Sequence, residues 1–352
     1  MVPSLTGGLG WVLIACSKEE AVVPDPEPGV QEPSAIAFNG NLTEEEVTRA
    51  TTPLETYTKA FKVWGYKNMT EPTTGNYSGL QTVMDQYHVQ WTANTAATTT
   101  TNSNDWEYIL LTYPEQSIKY WDFGAKAYRF FGSAEMSATP GTWEHITEGT
   151  ESYLYTCTAD ATSAVDAPFY TRLWFSTGDE DDYPTRQFGK PVTLEFIKPF
   201  AEVLFKFTLA DPTISPKPML DDPDFRPVNN SLRIAVTGGV QITFPLEGTA
   251  TQESWVSTPD RSTKYLVAFT TPETPYTILP VRGQGAYILT VTVNGVDKSC
   301  TVPAEYMNWS PGYRYTYIFK VNDEGGVELE TVNIGIKNWG YVAPVDYYLY
   351  NW

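Results

Sequence analysis

Short runs in which β-branched and aromatic residues alternate with polar ones, each closed by proline, glycine or a polar cluster, fill the chain from Arg49 onward. No amphipathic helical stretch of useful length interrupts them, so strands are the means by which this chain buries apolar surface. In Ala201 to Leu209, Val203, Phe205 and Phe207 point one way and Leu204, Lys206 and Thr208 the other, the period of a half-buried strand. The same pattern predicts strands over Ala60 to Tyr66, Val83 to Trp91, Lys119 to Phe123, Ala127 to Phe131 and Ser152 to Thr158. Further on it predicts Val192 to Phe196, Leu232 to Val236, Val240 to Phe244, Lys264 to Phe269, Tyr276 to Leu279, Tyr287 to Val293, Tyr313 to Val321 and Val327 to Ile336. Gly325-Gly326 and Asn294-Gly295 are hairpin signals. Ala93 to Asn104 and the Pro- and Asp-rich stretch Asp211 to Pro227 read as loops, and one short helix is expected at Thr43 to Ala50, with Thr43 and Glu46 as its capping box. With 26 Pro, 25 Gly, 23 Tyr and 11 Trp in 352 residues, the composition is that of an all-β protein of about two domains, divided around Asp179 to Lys190.

Charge and chemistry narrow the function. A formal net charge of −19 opposes binding to a phosphate backbone or an anionic lipid surface, so no nucleic-acid partner is expected. Two histidines, His88 and His145, and three cysteines, Cys16, Cys157 and Cys300, leave little for catalysis, and no metal-ligating, nucleotide-binding or nucleophile-elbow motif is present. The expectation is a chain that is not an enzyme and takes no cofactor. The acidic run Asp179 to Asp182 lacks the spacing of a calcium loop and reads as a solvated charge run rather than a metal site.

Gly7 to Ala15 is apolar but far shorter than a membrane span, which marks residues 1–15 as a signal peptide. Its end, Leu13-Ile14-Ala15-Cys16, resembles the bacterial lipobox, in which the cysteine is lipidated and becomes the first mature residue; the usual basic start is missing before Cys16. From Ser17 to Thr48 the chain is rich in proline and acid and reads as an extended, solvated tether. Its opening Ser17-Lys18-Glu19-Glu20 resembles the acidic export signal of surface lipoproteins, with an ordinary charged linker as the other reading. With Cys16 taken by lipid, Cys157 and Cys300 read as two small buried thiols with no disulfide between them.

A further set of residues carries a family resemblance. Arg49-Ala50-Thr51, Phe61 to Tyr66, Trp106-Glu107-Tyr108 with Tyr120-Trp121-Asp122, Tyr128 to Phe131, Pro191 to Phe196 with Phe200 to Val203, Leu279-Pro280, Trp309 to Tyr317 and Val332 to Trp339 occur in one order from about residue 49 to 339. In that order they resemble the fimbrillin-like (FimA/Mfa-like) pilus proteins of Bacteroidales. The aromatic-Pro-Gly-Tyr-x-Tyr-x-Tyr strand is the most specific element. Lys198 and Glu202 depart from the pattern, standing where His or Arg and Lys are expected, which removes a charge pair of the family.

The resemblance implies two transthyretin-like β-sandwiches in series, residues 50–188 and 189–339, after a lipidated pro-segment, 16–49, and before a tail, 340–352. It also implies export as a lipoprotein to the outer membrane through lipid on Cys16, exposure at the cell surface, and assembly into a fimbria with other fimbrial subunits. An Arg-specific protease would remove the leader with the first strand, and the candidate bond lies between Arg49 and Ala50. The segment lost contains Ser34 to Phe38, whose Ile36 and Phe38 suit a plug strand. Alternatively, Arg49 is an ordinary exposed residue and the leader stays attached. The groove left by cleavage would take a strand from another subunit. The candidate donor is the tail, with Val345, Tyr347 and Leu349 entering pockets; at about 3.3 Å per residue its thirteen residues reach about 43 Å. The tail could equally fold back on its own domain. The other function considered is a surface lipoprotein that binds glycans or host protein through exposed aromatic side chains.

Overall fold

The computed structural model describes residues 34–42, 59–71, 79–91, 106–134, 141–147, 151–160, 169–177, 187–211, 213, 220–227, 237–247, 250, 252–259, 276–283, 285–322 and 324–336. They form an all-β protein. The first strands are β1 (Phe38–Leu42), β2 (Ala60–Asn68), β3 (Leu80–Trp91), β4 (Trp106–Glu107), β5 (Ala127–Ala134), β6 (Thr142–Ile146), β7 (Ser152–Asp160), β8 (Tyr170–Thr171), β9 (Trp174–Thr177) and β10 (Val192–Ile197). There follow β11 (Ala201–Leu209), β12 (Leu220–Pro227), β13 (Thr237–Pro245), β14 (Ser254–Pro259), β15 (Tyr276–Ile278), β16 (Tyr287–Val293), β17 (Val296–Val302), β18 (Tyr313–Val321) and β19 (Val327–Ile336).

An eight-stranded sheet runs β1-β10-β8-β5-β2-β3-β4, with β9 also paired to β5, and a four-stranded sheet runs β14-β13-β7-β6. Alternation along β2 and β5 buries both faces of the large sheet. Trp64, Tyr66 and Phe131 pack toward Tyr155 of β7 and Ile242 and Phe244 of β13, with Phe131 stacked on Phe244 at 4.7 Å. Phe61, Val63, Tyr128 and Phe130 point the other way, into a second core with Phe38, Trp106, Leu194 and Phe196. All eight residues of β5 are buried. At Gly132 the strand passes so close to β2 that a Cβ would lie 2.1 Å from the Lys62 carbonyl oxygen, so only glycine fits there.

The remaining strands form a β15-β11-β18-β19 sheet and a β12-β16-β17 sheet. Between them lies a core that includes Val203, Phe205, Tyr317, Phe319, Tyr287, Leu289 and Val302. The Asn294-Gly295 turn has φ of 51° and 80°, as a two-residue hairpin requires, and joins β16 to β17. In the β18–β19 hairpin the Asn322 side-chain oxygen accepts from the Gly326 N–H at 2.6 Å, so the predicted Gly-Gly turn is present.

Strand pairing is not divided at residue 189. β10 joins the first sheet, and β13 runs antiparallel to β7 over nine residue pairs from Thr237↔Asp160 to Pro245↔Ser152. Two strand expectations are corrected. Leu220–Pro227, read as part of a loop, is a strand paired to β16 with a bulge between Asp221 and Asp224; an edge position tolerates Pro223 because no second neighbour needs its missing N–H. Lys119 to Phe123 is not a strand: it makes one isolated bridge at Tyr120 and then turns, with the Ala125 N–H on the Asp122 carbonyl at 3.1 Å. The predicted strands Leu232 to Val236 and Lys264 to Phe269, the helix Thr43 to Ala50 and the acidic run Asp179 to Asp182 lie outside the described residues.

Candidate functional site

Residues 34–42 occupy a groove in the first core. On one side β1 runs parallel to β10, from Phe38↔Val192 to Leu42↔Phe196, and the Val192 N–H donates to the Ala37 carbonyl at 2.7 Å. On the other side Ala35 bridges Tyr120, with the Ile36 N–H on the Lys119 carbonyl at 2.8 Å and the Trp121 N–H on the Ser34 carbonyl at 2.9 Å. The stretch expected as a strand at 119–123 is therefore the second lip of this groove. It finds a backbone partner only over the few residues that the inserted segment offers.

Ile36 and Phe38 are both 0% exposed. The Phe38 ring meets Phe61, Tyr108 and Phe130 edge-on, at centroid separations of 6.2, 6.1 and 5.7 Å, an arrangement that adds to the area it buries. The Tyr108 hydroxyl donates to the Ile36 carbonyl at 2.9 Å and accepts from the Lys119 N–H at 3.2 Å, tying the segment to the lip. Within a stretch of sequence read as solvated tether, 34–42 is folded, which corrects that reading here, and Ile36 and Phe38 are buried in the first core. The reason is local composition: Ala35, Ile36, Ala37 and Phe38 form an apolar patch in an otherwise acidic and Pro-rich stretch.

Burial pushes the Tyr108 and Tyr128 hydroxyls up to about 12. Both are above the unfolded value of about 10, so their contribution is fully present below about pH 10 and is lost as pH rises toward about 12. The expected result is a cooperative alkaline unfolding in that window, with tyrosinate absorbance rising together with loss of circular dichroism. A smooth titration of all tyrosines before unfolding would contradict it.

The aromatic-Pro-Gly-Tyr element forms a corner at the start of β18. Pro311 precedes Gly312, whose φ is +82° and whose N–H donates to the Phe200 carbonyl at 2.7 Å, as a turn requiring a left-handed residue demands. The Ser310 N–H donates to the Tyr315 hydroxyl at 2.8 Å, and the buried Trp309 indole donates to the Tyr317 hydroxyl at 2.9 Å. Arg314, on the opposite face of β18, lies beside Glu202 of β11 with Nε to Oε2 at 2.6 Å. A charge pair is therefore present, with the acid at 202. Lys198 is buried, with its ammonium 4.2 Å from the Phe169 ring centre.

His88 stacks on Tyr113 at 3.7 Å and His145 on Tyr153 at 4.6 Å, the former on β3 and the latter on β6. Among the described residues no group of three or more His, Cys, Asp or Glu side chains is placed to hold a metal ion. Cys157 is buried and its thiol is pushed up to about 11 by burial, whereas Cys300 is only half-buried, which corrects the expectation of two buried thiols. Cys300 lies on β17, an edge strand covered on one face. In a Cys16→Ser variant, a maleimide should label Cys300 under native conditions and Cys157 only after denaturation, read by mass spectrometry of the peptides.

Cys16, Arg49, Ala50 and the tail residues Val345, Tyr347 and Leu349 lie outside the described residues. Sequence reasoning overlooked the lip at 119–121 as a backbone partner for 34–38. The tell-tale signal was the aromatic density of Tyr120-Trp121 in a segment too short to make a ladder.

No protein-family model and no curated protein matches this chain. Among solved structures it is similar to a candidate cell adhesion protein from Bacteroides uniformis at 14% identity, over 87% of this chain and 99% of that one, with a TM-score of 0.42. It is similar to a fimbrial protein from Bacteroides vulgatus at 12% identity, over 87% and 99% of the two chains, with a TM-score of 0.42. It is also similar to the fimbrial anchor protein Mfa2 from Porphyromonas gingivalis at 9% identity, over 86% and 97%, with a TM-score of 0.32. Fimbrial and cell adhesion proteins of Bacteroidales are thus among the structural neighbours of this all-β chain.

Proposed function

We propose that this chain is a subunit of a cell-surface fimbria that is exported as a lipoprotein through Cys16 and joins its neighbours by strand exchange. One observation supports the reading most directly. The segment 34–42 fills a groove between β10 and residues 119–121, holds two side chains in the core, and precedes Arg49 in sequence. A cut after Arg49 would end its covalent link to β2 and leave hydrogen bonds and apolar packing as its only hold.

Loss of the segment would leave the Val192 and Trp121 N–H groups and the Lys119 carbonyl without their partners, and a cavity lined by Phe61, Tyr108 and Phe130. Buried polar groups and apolar surface are both costly to leave open, so the groove would take another extended strand with alternate apolar side chains. The tail supplies that pattern through Val345, Tyr347 and Leu349.

The test is mass spectrometry of the mature N-terminus on protein sheared from cells, with gel analysis of the same material. An N-terminus at Ala50 with a ladder of heat-labile oligomers, absent in an Arg49→Ala variant, is the expected result. A monomer that keeps lipid on Cys16 and residues 34–42 in all surface material would sink the polymer reading.

A further inference from the structure

The second lip of the 34–38 groove owes its position to an interrupted ladder. β4 pairs with β3 at only two positions, Trp106↔Trp91 and Glu107↔Gln90. Just beyond them the Glu107 carboxylate accepts from the Ile109 N–H at 2.7 Å, a local bond that competes with strand pairing and turns the chain away from β3. His88, which a continued ladder would have placed opposite Ile109, is met instead by the side chain of Gln116.

Gln116 takes the place of the missing strand. Its Oε1 accepts from the His88 N–H at 2.6 Å, and its Nε2 donates to the His88 carbonyl at 3.0 Å and to the Tyr108 carbonyl at 2.5 Å, so both ends of this buried amide are used. At the far end of the lip, the Asp122 N–H donates to the Tyr128 hydroxyl of β5 at 2.8 Å, and the Asp122 carboxylate lies 2.6 Å from the Lys67 ammonium of β2. Between these anchors the buried Trp121 ring packs on Tyr128 and Phe188 at 4.8 and 5.4 Å. None of these partners belongs to residues 34–42.

Departure of the segment would break the bonds that cross the groove, from the Ile36 N–H to the Lys119 carbonyl and from the Trp121 N–H to the Ser34 carbonyl. The bonds that hold Gln116 and Asp122 go to β2, β3, β5 and Tyr108, and would stay. The Lys119 N–H also keeps its own acceptor, the Tyr108 hydroxyl at 3.2 Å. We propose that residues 116–122 form a standing lip, positioned by Gln116 and Asp122, so that an emptied groove receives an extended strand with alternate apolar side chains without refolding. A lip that had to be ordered at each docking event would add its backbone entropy to the cost of binding. The proposal rests on the strand-exchange reading, for which it names the residues that keep the receptor open.

The test is hydrogen exchange, read residue by residue, on the full wild-type chain in rising, sub-denaturing urea. The Ile36, Trp121 and Val192 N–H groups, whose acceptors lie across the groove, should exchange together through release of the segment, while the Lys119 and Asp122 N–H groups stay protected until β5 unfolds. In a full-length Gln116→Met variant, Lys119 should join the early group and the β5 amides should not, a split that general destabilisation does not produce. A synthetic peptide of residues 34–42 should bind the full chain carrying Ile36→Ala and Phe38→Ala, and about tenfold more weakly once Gln116→Met is added, the factor for ordering about one residue's backbone. Exchange of Lys119 and Asp122 together with Ile36 in the wild-type chain, absence of peptide binding, or peptide affinity unchanged by Gln116→Met would each overturn the proposal. The wild-type exchange needs no substitution and decides the matter if a variant fails to fold. The polymer reading fails separately, on the mature N-terminus and the gel ladder.

Discussion

A Phe38→Ala variant of the full chain is expected to unfold at a free energy about 3–5 kcal/mol below wild type, the cost of removing a buried phenylalanine from a core that cannot collapse around the gap. Phe38 is 0% exposed and touches three rings from three separate parts of the chain, Phe61 on β2, Tyr108 after β4 and Phe130 on β5, so no single neighbour can move to fill its place. Ile36→Ala should cost about 2–5 kcal/mol by the same mechanism, and the two should not add, since both substitutions loosen one short segment. Urea unfolding monitored by tryptophan fluorescence measures both. Trp106 and Trp121 belong to the same cluster and contribute to that signal alongside the Trp residues of the other cores. A loss under about 1 kcal/mol for Phe38→Ala would mean that residues 34–42 leave the groove at little cost in the intact protein, and the groove would then not be an avid receptor for a strand.

The second large effect is expected at Glu202. Its side chain is 4% exposed and that of its partner, Arg314, 17% exposed, with the two residues directly opposite in the parallel β11–β18 ladder. Glu202→Ala leaves Arg314 without that carboxylate in a mostly dry setting and should cost about 3 kcal/mol, the low end for a broken buried pair because Arg314 keeps some contact with water. The double variant Glu202→Leu/Arg314→Leu should recover much of that loss, since two apolar side chains need no desolvation compensation. A double-mutant cycle with the single variants Glu202→Leu and Arg314→Leu separates the pair from lost packing. If Glu202→Ala and the double variant unfold alike, the pair contributes little and the face is held by its apolar neighbours.

Individual strands were largely legible in the chain. Ala201–Leu209, Tyr287–Val293, Tyr313–Val321 and Val327–Ile336 occur where period-2 alternation puts them, because a strand's two faces are written directly into alternate residues. That Ile36 and Phe38 are buried was legible only through the resemblance, which offers them as a plug strand, since composition reads the same stretch as a solvated tether. Short strands such as Tyr170–Thr171 and Trp174–Thr177 carry no period long enough to read, and Leu220–Pro227 was hidden by prolines that an edge can accommodate. The anchors of the lip were not legible at all. Gln116 and Asp122 each stand in an ordinary polar context, and only the early end of β4 brings Gln116 onto His88.

The sequence by itself determined the class of structure, the positions of the tight turns at Asn294-Gly295 and Gly325-Gly326, and which residues must go inside, because propensity, left-handed turns and alternation are local properties. Tertiary structure alone decided partners. Period 2 states which face of β13 is apolar but not that its ladder lies along β7, and nothing near Ser34 names Val192 and Lys119 as the two lips that receive it. Pairing is a non-local choice, settled by which edges remain open and which apolar faces meet once the whole chain has collapsed.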